Sequence, residues 1–553
     1  MPITAAARAR SEGKAESTHE ITQRDPDAMG TQRGGDSADD SARTLAPEDG
    51  SPGDAHIPYR EKQRLDRYLS FLPSLFFSLT LLASWETVGG GLLAGLYNGG
   101  PAAIVYGLLV SIVGNLAIAM SLAELASMHP TAGAQYHWTY VLAPWHPRFF
   151  SFFQGWITVF SWCSLVAIAP FLIGTQIEGM IKLAHPTYII HGWRSTLLMW
   201  AVSIPPIVVN IFARRCLGVI ETVAGIMHVV FLPMIIGVIG RSAASSNESH
   251  NSTEDANSFV WDTFLSGFSG WKNAGVVFSV GLLGVITPLT GVDGIIHMSE
   301  EVHNARLTIP RSMVWGTLLN GIMAFGYAIA ILYFMGPSPE AYASALMTST
   351  GYPIIEIAYQ ATGSKAATFM LMATGMLPGW IAFFNGLASV TRLMWAFARD
   401  NGLPFSDFFV KVDGRLKIPL RALGLVTSWI FVLSFMQTGS TAAFNAILSL
   451  SALGLYISYL FPLVFLVGSR LKGDAPTGAY GLGRWGLPLN LTAILFAAYF
   501  AVFLPFPPTL PVTPENMNFS GPVLGFIMLC SCVDWAVRGR HKWTGPTMRY
   551  SRG

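Results

Sequence analysis

Twelve times along this chain an apolar run of about 20 residues recurs, the length that matches the hydrocarbon thickness of a bilayer. The runs cover approximately residues 69–97, 101–125, 149–177, 195–213, 217–240, 276–298, 313–335, 366–396, 419–438, 442–468, 487–506 and 520–537. Of the 553 residues only 12% are charged, against roughly 25% in soluble domains, and 52% are hydrophobic. An all-α integral membrane protein with twelve transmembrane helices follows. A net charge of +2, evenly spread, offers nothing to nucleic acid. Cys163, Cys216, Cys530 and Cys532 all lie in or beside apolar runs, so neither a disulfide framework nor a metal site is indicated. His129, His137 and His146 share one loop but lack metal-ligand spacing, and no cofactor or catalytic cluster is read from the sequence.

Basic residues orient the spans. With the N-terminus inside, 29 of the 34 Lys and Arg residues fall on the cytoplasmic side and 5 outside. Discounting the long N-terminal tail, to which the positive-inside rule does not extend, still leaves 19 against 5. Both termini are therefore expected in the cytoplasm. Residues 1–68 form a polar tail, of which 1–56 hold too few apolar groups to build a core. A first repeat covers 69–240, a polar external loop 241–275, and a second repeat 276–468. Two accessory spans lie in 487–537, and 538–553 form a short cytoplasmic tail. The sequons at Asn247 and Asn251 fall in the external loop and are candidate glycosylation sites.

Two spans are interrupted. The sixth runs VVFSVGLLGVITPLTGVDGIIHM, with Pro288, Thr290, Gly291 and Asp293 where a continuous helix would avoid them. The first holds Glu86 followed by Gly89, Gly90 and Gly91, a glycine run that costs roughly 3 kcal/mol against alanine in a helix interior. Close helix packing explains such glycines too, but packing motifs space small residues four apart and need no neighbouring carboxylate. An unwound segment at the glycines is the expectation. In lipid, broken helix survives only where protein or a watery cavity satisfies it. Interruptions in the first and sixth spans occupy matching places in two five-helix halves of opposite orientation. This is the 5+5 inverted-repeat signature of secondary transporters, with the site at the midplane between the breaks.

Three segments then carry a resemblance: SLAELASMHPTAGAQYHWTYVLAP (121–144), GVDGIIHMSEEVHNARLTIPRSM (291–313) and SVTRLMWAFARDNGLPFS (389–406). Together they resemble the amino acid–polyamine–organocation superfamily. The first span, LASWETVGGGLLAGLYNGGP, is most similar to the fungal amino acid/choline branch that includes GABA and choline permeases. The resemblance implies a ten-helix inverted-repeat core plus two accessory helices. It also implies uptake across the plasma membrane or an internal membrane, usually coupled to protons. On this basis Gly89, Gly90 and Gly91 match the glycines that take a substrate carboxylate, and Thr290 and Gly291 the opposing break.

For a substrate amine or a proton, the candidates are Glu86 and Asp293, carboxyls whose other role would be to cap a broken helix. Aromatic candidates for an amine are Trp85, Trp162, Trp380, Phe383 and Phe384, residues that also pack cores. Asn385, Ser389 and Thr391 offer oxygens to a sodium ion or simply bond their own helix. Glu300, Glu301, Arg306, Arg392 and Arg399 flank one end of the sixth and eighth spans, as an ion-pair gate or as topology anchors. Glu124 reads as a structural hydrogen-bond partner. A small amino acid or amine such as GABA is the leading substrate, choline or ethanolamine the alternative. A nutrient receptor that binds without transporting is the reading from another class.

Overall fold

In the computed structural model the described residues are 67–547, apart from 214–215, 247–252, 440, 477 and 515. Asn247 and Asn251 thus lie outside them. The described chain is helical with two isolated β-bridges, and twelve helices are long and apolar enough to cross a membrane. They run Phe71–Tyr97, Gly100–Met128, Pro147–Ala184, Gly192–Phe212, Leu217–Ser242, Ala274–Met298, Ala305–Met335, Lys365–Arg399, Leu420–Thr438, Ser449–Lys472, Gly483–Phe503 and Ser520–Lys542. Most depart from the expected limits by a few residues. The seventh begins eight residues earlier than its apolar run, with Pro310 inside the helix.

The sixth span breaks where the sequence says it should. Helix ends at Ile286, a 3-10 turn covers Thr287–Leu289, Thr290 is extended, and Gly291 takes φ +94°. A second 3-10 segment, Gly294–Met298, completes the span. The first span breaks elsewhere than expected. Helix runs Phe71–Leu82, Ala83 turns left-handed at φ 42°, ψ 50°, and helix resumes over Ser84–Tyr97 with Gly89, Gly90 and Gly91 inside it. Asn320 of the seventh span bridges the gap. Its side-chain oxygen faces the Ser84 N–H at 3.4 Å, and its amide donates to the Leu79 carbonyl at 3.0 Å. Ser84 Oγ in turn donates to the Asn320 carbonyl at 2.9 Å.

The glycines serve packing instead. A Cβ on Gly91 would lie 2.5 Å from the Gly284 carbonyl oxygen, and one on Gly284 would lie 2.6 Å from that of Gly91. Helix halves of the first and sixth spans therefore meet backbone to backbone, which small residues alone permit. Replacing Gly91 by leucine should push these halves apart and cost at least the ~1–3 kcal/mol of ordinary overpacking. The check is the melting temperature of the detergent-purified variant, and a temperature equal to that of the unsubstituted protein would show that the contact is dispensable.

Candidate functional site

Between the two breaks lies a cavity of about 130 Å³, roughly ten times what one water needs. Ala83, Trp85, Glu86 and Gly89 of the first span line one side, and Thr287, Thr290 and Gly291 of the sixth face them. The third span supplies Trp162 and Gln176, the seventh Tyr327, and the eighth Gly375, Gly379, Phe383 and Gly386. Glycines on the eighth span leave room where a larger residue would close the space: a Cβ on Gly379 would already touch Glu86 at 3.7 Å.

Glu86 is the sole charged side chain on this wall among the described residues. Its Oε1 lies 2.7 Å from His228 Nδ1 on the fifth span, and its buried Oε2 has no hydrogen-bond partner. A carboxylate oxygen accepts, so Nδ1 carries a hydrogen. His228 also takes the Trp85 indole N–H on its backbone carbonyl at 3.2 Å, and the two rings lie 5.8 Å apart. One histidine thereby holds both Trp85 and Glu86 in place.

Asp293 is wholly buried and sits behind the wall rather than on it. It accepts from Trp162 Nε1 at 3.0 Å, from Tyr459 Oη at 2.5 Å and from Gln135 Nε2, and His297 Nε2 lies 3.3 Å away. Because Trp162 itself lines the cavity and stands over Gly291, the Asp293 cluster braces the wall through that ring.

The structure therefore brings Trp85, Glu86, Gly89, Trp162, Thr290 and Gly291 together around one space. Five other candidates lie off it. Gly90 packs against Leu172 and Gly91 against Gly284. Asp293 is enclosed, Trp380 donates its N–H to the Val202 carbonyl at 2.9 Å, and Asn385 donates to Thr80 Oγ1 and Glu221 Oε2. Ser389 and Thr391 spend their hydroxyls on backbone carbonyls. Sequence reasoning missed His228 and Glu221, although a signal was present. Two ionisable residues seven apart share one face of an apolar span, and such residues inside a membrane are functional candidates by default.

Four of the five charged candidates form two ion pairs. Arg392 Nε meets Glu301 Oε1 at 2.7 Å, and Arg399 Nη1 meets Glu300 Oε1 at 2.6 Å. Arg306 is exposed and enters neither ion pair, because it points outward from the first turn of the seventh span. Backbone N–H groups of Tyr68 and Leu69 donate to the Glu301 carbonyl at 3.0 and 3.1 Å, and His303 N–H to the Leu69 carbonyl at 2.8 Å. The start of the first span is thus stitched to the exit of the sixth. Glu124 accepts from Arg470 and from the Leu482 N–H, a structural tie.

Broken first and sixth spans, a cavity between them and paired charges beneath define a multi-pass membrane transporter, a permease and not an enzyme. The protein-family model described as amino acid permease matches residues 69–529. A Macrophomina phaseolina protein assigned as an amino acid/polyamine transporter is 30% identical over 450 residues, covering 80% of this chain and 96% of its own. The choline transporter of Saccharomyces cerevisiae is 29% identical, covering 84% and 80%, and amino-acid permease 2 of Neurospora crassa 24%, covering 96% and 95%. The chain belongs to the amino acid permease family.

Charge burial gives a graded test of the ion pairs. Glu301→Gln strands the guanidinium of Arg392, whose side chain is 3% exposed, and should destabilise the protein by about 3–5 kcal/mol. Glu300 is 17% exposed, so Glu300→Gln should cost distinctly less. Thermal denaturation of the two variants side by side checks the order.

Proposed function

We propose that this protein is a secondary active transporter that imports a small amino acid or related amine such as GABA, coupled to protons, by alternating access around the broken spans. The observation that carries the reading is Glu86 Oε2, a carboxylate oxygen without a partner on an otherwise uncharged wall. A substrate ammonium supplies the missing partner, and the Glu86–His228 contact holds the carboxylate ready for it. The helix that restarts at Ser84 leaves first-turn N–H groups without internal acceptors, and these, with the break at Thr290 and Gly291, suit a carboxylate. Gly89 takes part as a wall residue, while Gly90 and Gly91 drop out of the carboxylate site because they lie in regular helix. The pairs Glu301–Arg392 and Glu300–Arg399 form the cytoplasmic gate, with both termini inside and the plasma membrane as the location.

A second reading is choline or ethanolamine uptake. Trp85, Trp162, Tyr327 and Phe383 on the wall favour it, since a desolvated quaternary ammonium gains ~2 kcal/mol over such rings. The choline transporter among the relatives points the same way.

Radiolabelled uptake in a transport-deficient host, GABA against choline, at pH 5 and pH 7.5 with and without sodium, separates them. GABA uptake should rise at pH 5 without sodium. Glu86→Gln should raise the half-saturating concentration about 10- to 100-fold, the loss of one charge-assisted hydrogen bond. Choline uptake indifferent to pH transfers the conclusion to the second reading, and uptake of neither amine removes both.

A further inference from the structure

The fifth span carries a second buried carboxyl that the substrate cavity leaves unused. Glu221 has no exposed surface and lies off the cavity wall. Its Oε2 contacts Asn385 Nδ2 of the eighth span at 2.5 Å and Thr80 Oγ1 of the first at 3.1 Å, and its Oε1 has no partner. Thr80 lies three residues before the break at Ala83. Three spans meet at this one carboxyl.

Both donors at this junction meet one oxygen: Asn385 Nδ2 and Thr80 Oγ1 donate to Glu221 Oε2, and Oε1 receives neither. Thr80 Oγ1 also lies 2.8 Å from the Phe76 carbonyl and 2.7 Å from Asn385 Nδ2. An ionised carboxyl would leave Oε1 charged without a donor, a cost that a proton on it removes. Among the described residues no cation sits beside Glu221 to compensate a negative charge, and an uncompensated buried charge neutralises instead. The ionisable groups facing it are few. Tyr68 approaches from the start of the first span, with the Glu301–Arg392 pair behind it. His228 lies two turns along the same helix and is turned to Glu86.

The other intramembrane carboxyls are committed. Glu86 faces the substrate and cannot hold its amine and a proton in the same step. Asp293 has three donors and His297 around it, and Glu124 has Arg470. Glu178 has a hydroxyl on each oxygen, from Tyr188 and Ser195.

We propose that Glu221 is the binding site of the coupling proton, a site separate from that of the substrate. The inference rests on the proton-coupled reading above. Movement of the half-helix Phe71–Leu82 about Ala83 would carry Thr80 away from Glu221 and let water reach the carboxyl, which then releases its proton on the side where the substrate leaves.

Purified protein in liposomes tests this, with the membrane potential clamped at zero and GABA and choline as probes. A gradient of two pH units can drive up to about 100-fold accumulation when one proton accompanies each substrate. Glu221→Gln should reduce accumulation to the external concentration while leaving substrate-for-substrate exchange at equal pH within about twofold. Glu221→Asp should accumulate substrate again with a displaced pH profile. Gradient-driven accumulation that survives Glu221→Gln overturns the proposal, as does accumulation driven instead by a sodium gradient and abolished in the same variant. If Glu221→Gln does not reach the membrane, Asn385→Leu replaces it. A displaced pH profile of accumulation there supports the site, and an unchanged one overturns it. Unsubstituted protein that transports without responding to the pH gradient defeats the proton-coupled reading itself, a result distinct from every outcome in the variants.

Discussion

A backbone N–H or carbonyl left unpaired in hydrocarbon costs several kcal/mol, and this chain interrupts two of its spans in the middle. Everything around the cavity answers that constraint. At the first break Asn320 reaches from the seventh span, accepting from Ser84 on one side and donating to Leu79 on the other. At the second, Thr290 Oγ1 returns to the Ile286 carbonyl, and Ser389 Oγ donates to the Gly294 carbonyl. Spans that carry no break thus supply the polar groups that let the broken ones exist. The cavity lies where they do because the unwound backbone needs its neighbours there.

Within that frame the buried carboxylates differ in how completely they are satisfied. Asp293, Glu124 and Glu301 meet donors or cations on all sides, which suits permanent braces. Glu86 and Glu221 each keep one oxygen buried without a partner. An unpaired buried carboxyl oxygen is expensive, and the proposed substrate and proton would each relieve one of these two. One opens on the cavity and the other lies off it, a separation that would let the proposed substrate and proton bind together without contending for one charge.

Much of this was legible in the sequence, and the parts that were not have a common cause. The twelve spans announce themselves by length and apolarity, and the sixth break by Pro288 and Gly291. Gly291 is required twice: its φ of +94° suits only glycine, and a Cβ there would meet Leu165 at 3.0 Å and Trp162 at 3.2 Å. The first break has no such local mark. Ala83 has no intrinsic reason to turn left-handed, a conformation that costs an L-residue roughly 1–2 kcal/mol. Asn320, far away in the chain, supports it there. Gly89, Gly90 and Gly91 misdirected the reading because in a membrane glycine serves close approach as often as unwinding, and only the partner Gly284 shows which. Asp293, Asn385 and Trp380 lie off the cavity wall. Which way a side chain faces around a helix axis is a tertiary fact, and spacing within one span does not report it.

The two halves of the first span meet different neighbours across the joint at Ala83, and this bears on the alternating access proposed for them. Ser84–Tyr97 meets the sixth span backbone to backbone at Gly91 and Gly284, and the Tyr342 hydroxyl fastens the Leu96 carbonyl at 2.6 Å. Contacts that close admit no gradual sliding, so this half is scaffold. Phe71–Leu82 packs through its side chains, where a Cβ on Gly225 would meet Phe76 at 2.3 Å and one on Gly316 would meet Ser78 Oγ at 2.7 Å, and it carries polar links as well: Tyr68 and Leu69 to the Glu301 carbonyl at its start, Thr80 to Asn385 and Glu221 near its end. Water can replace each of those partners at little net cost, because an intramolecular hydrogen bond contributes only about 0.5–1.5 kcal/mol over its hydrated alternative. Its polar ends are replaceable, and it joins Ser84–Tyr97 through one left-handed residue at Ala83, which suits the movement proposed for it. In the proposed mechanism Glu86 stays with Ser84–Tyr97 and Glu221 lies against Phe71–Leu82, so displacement of one short helix would hydrate the second carboxyl without dismantling the support of the first.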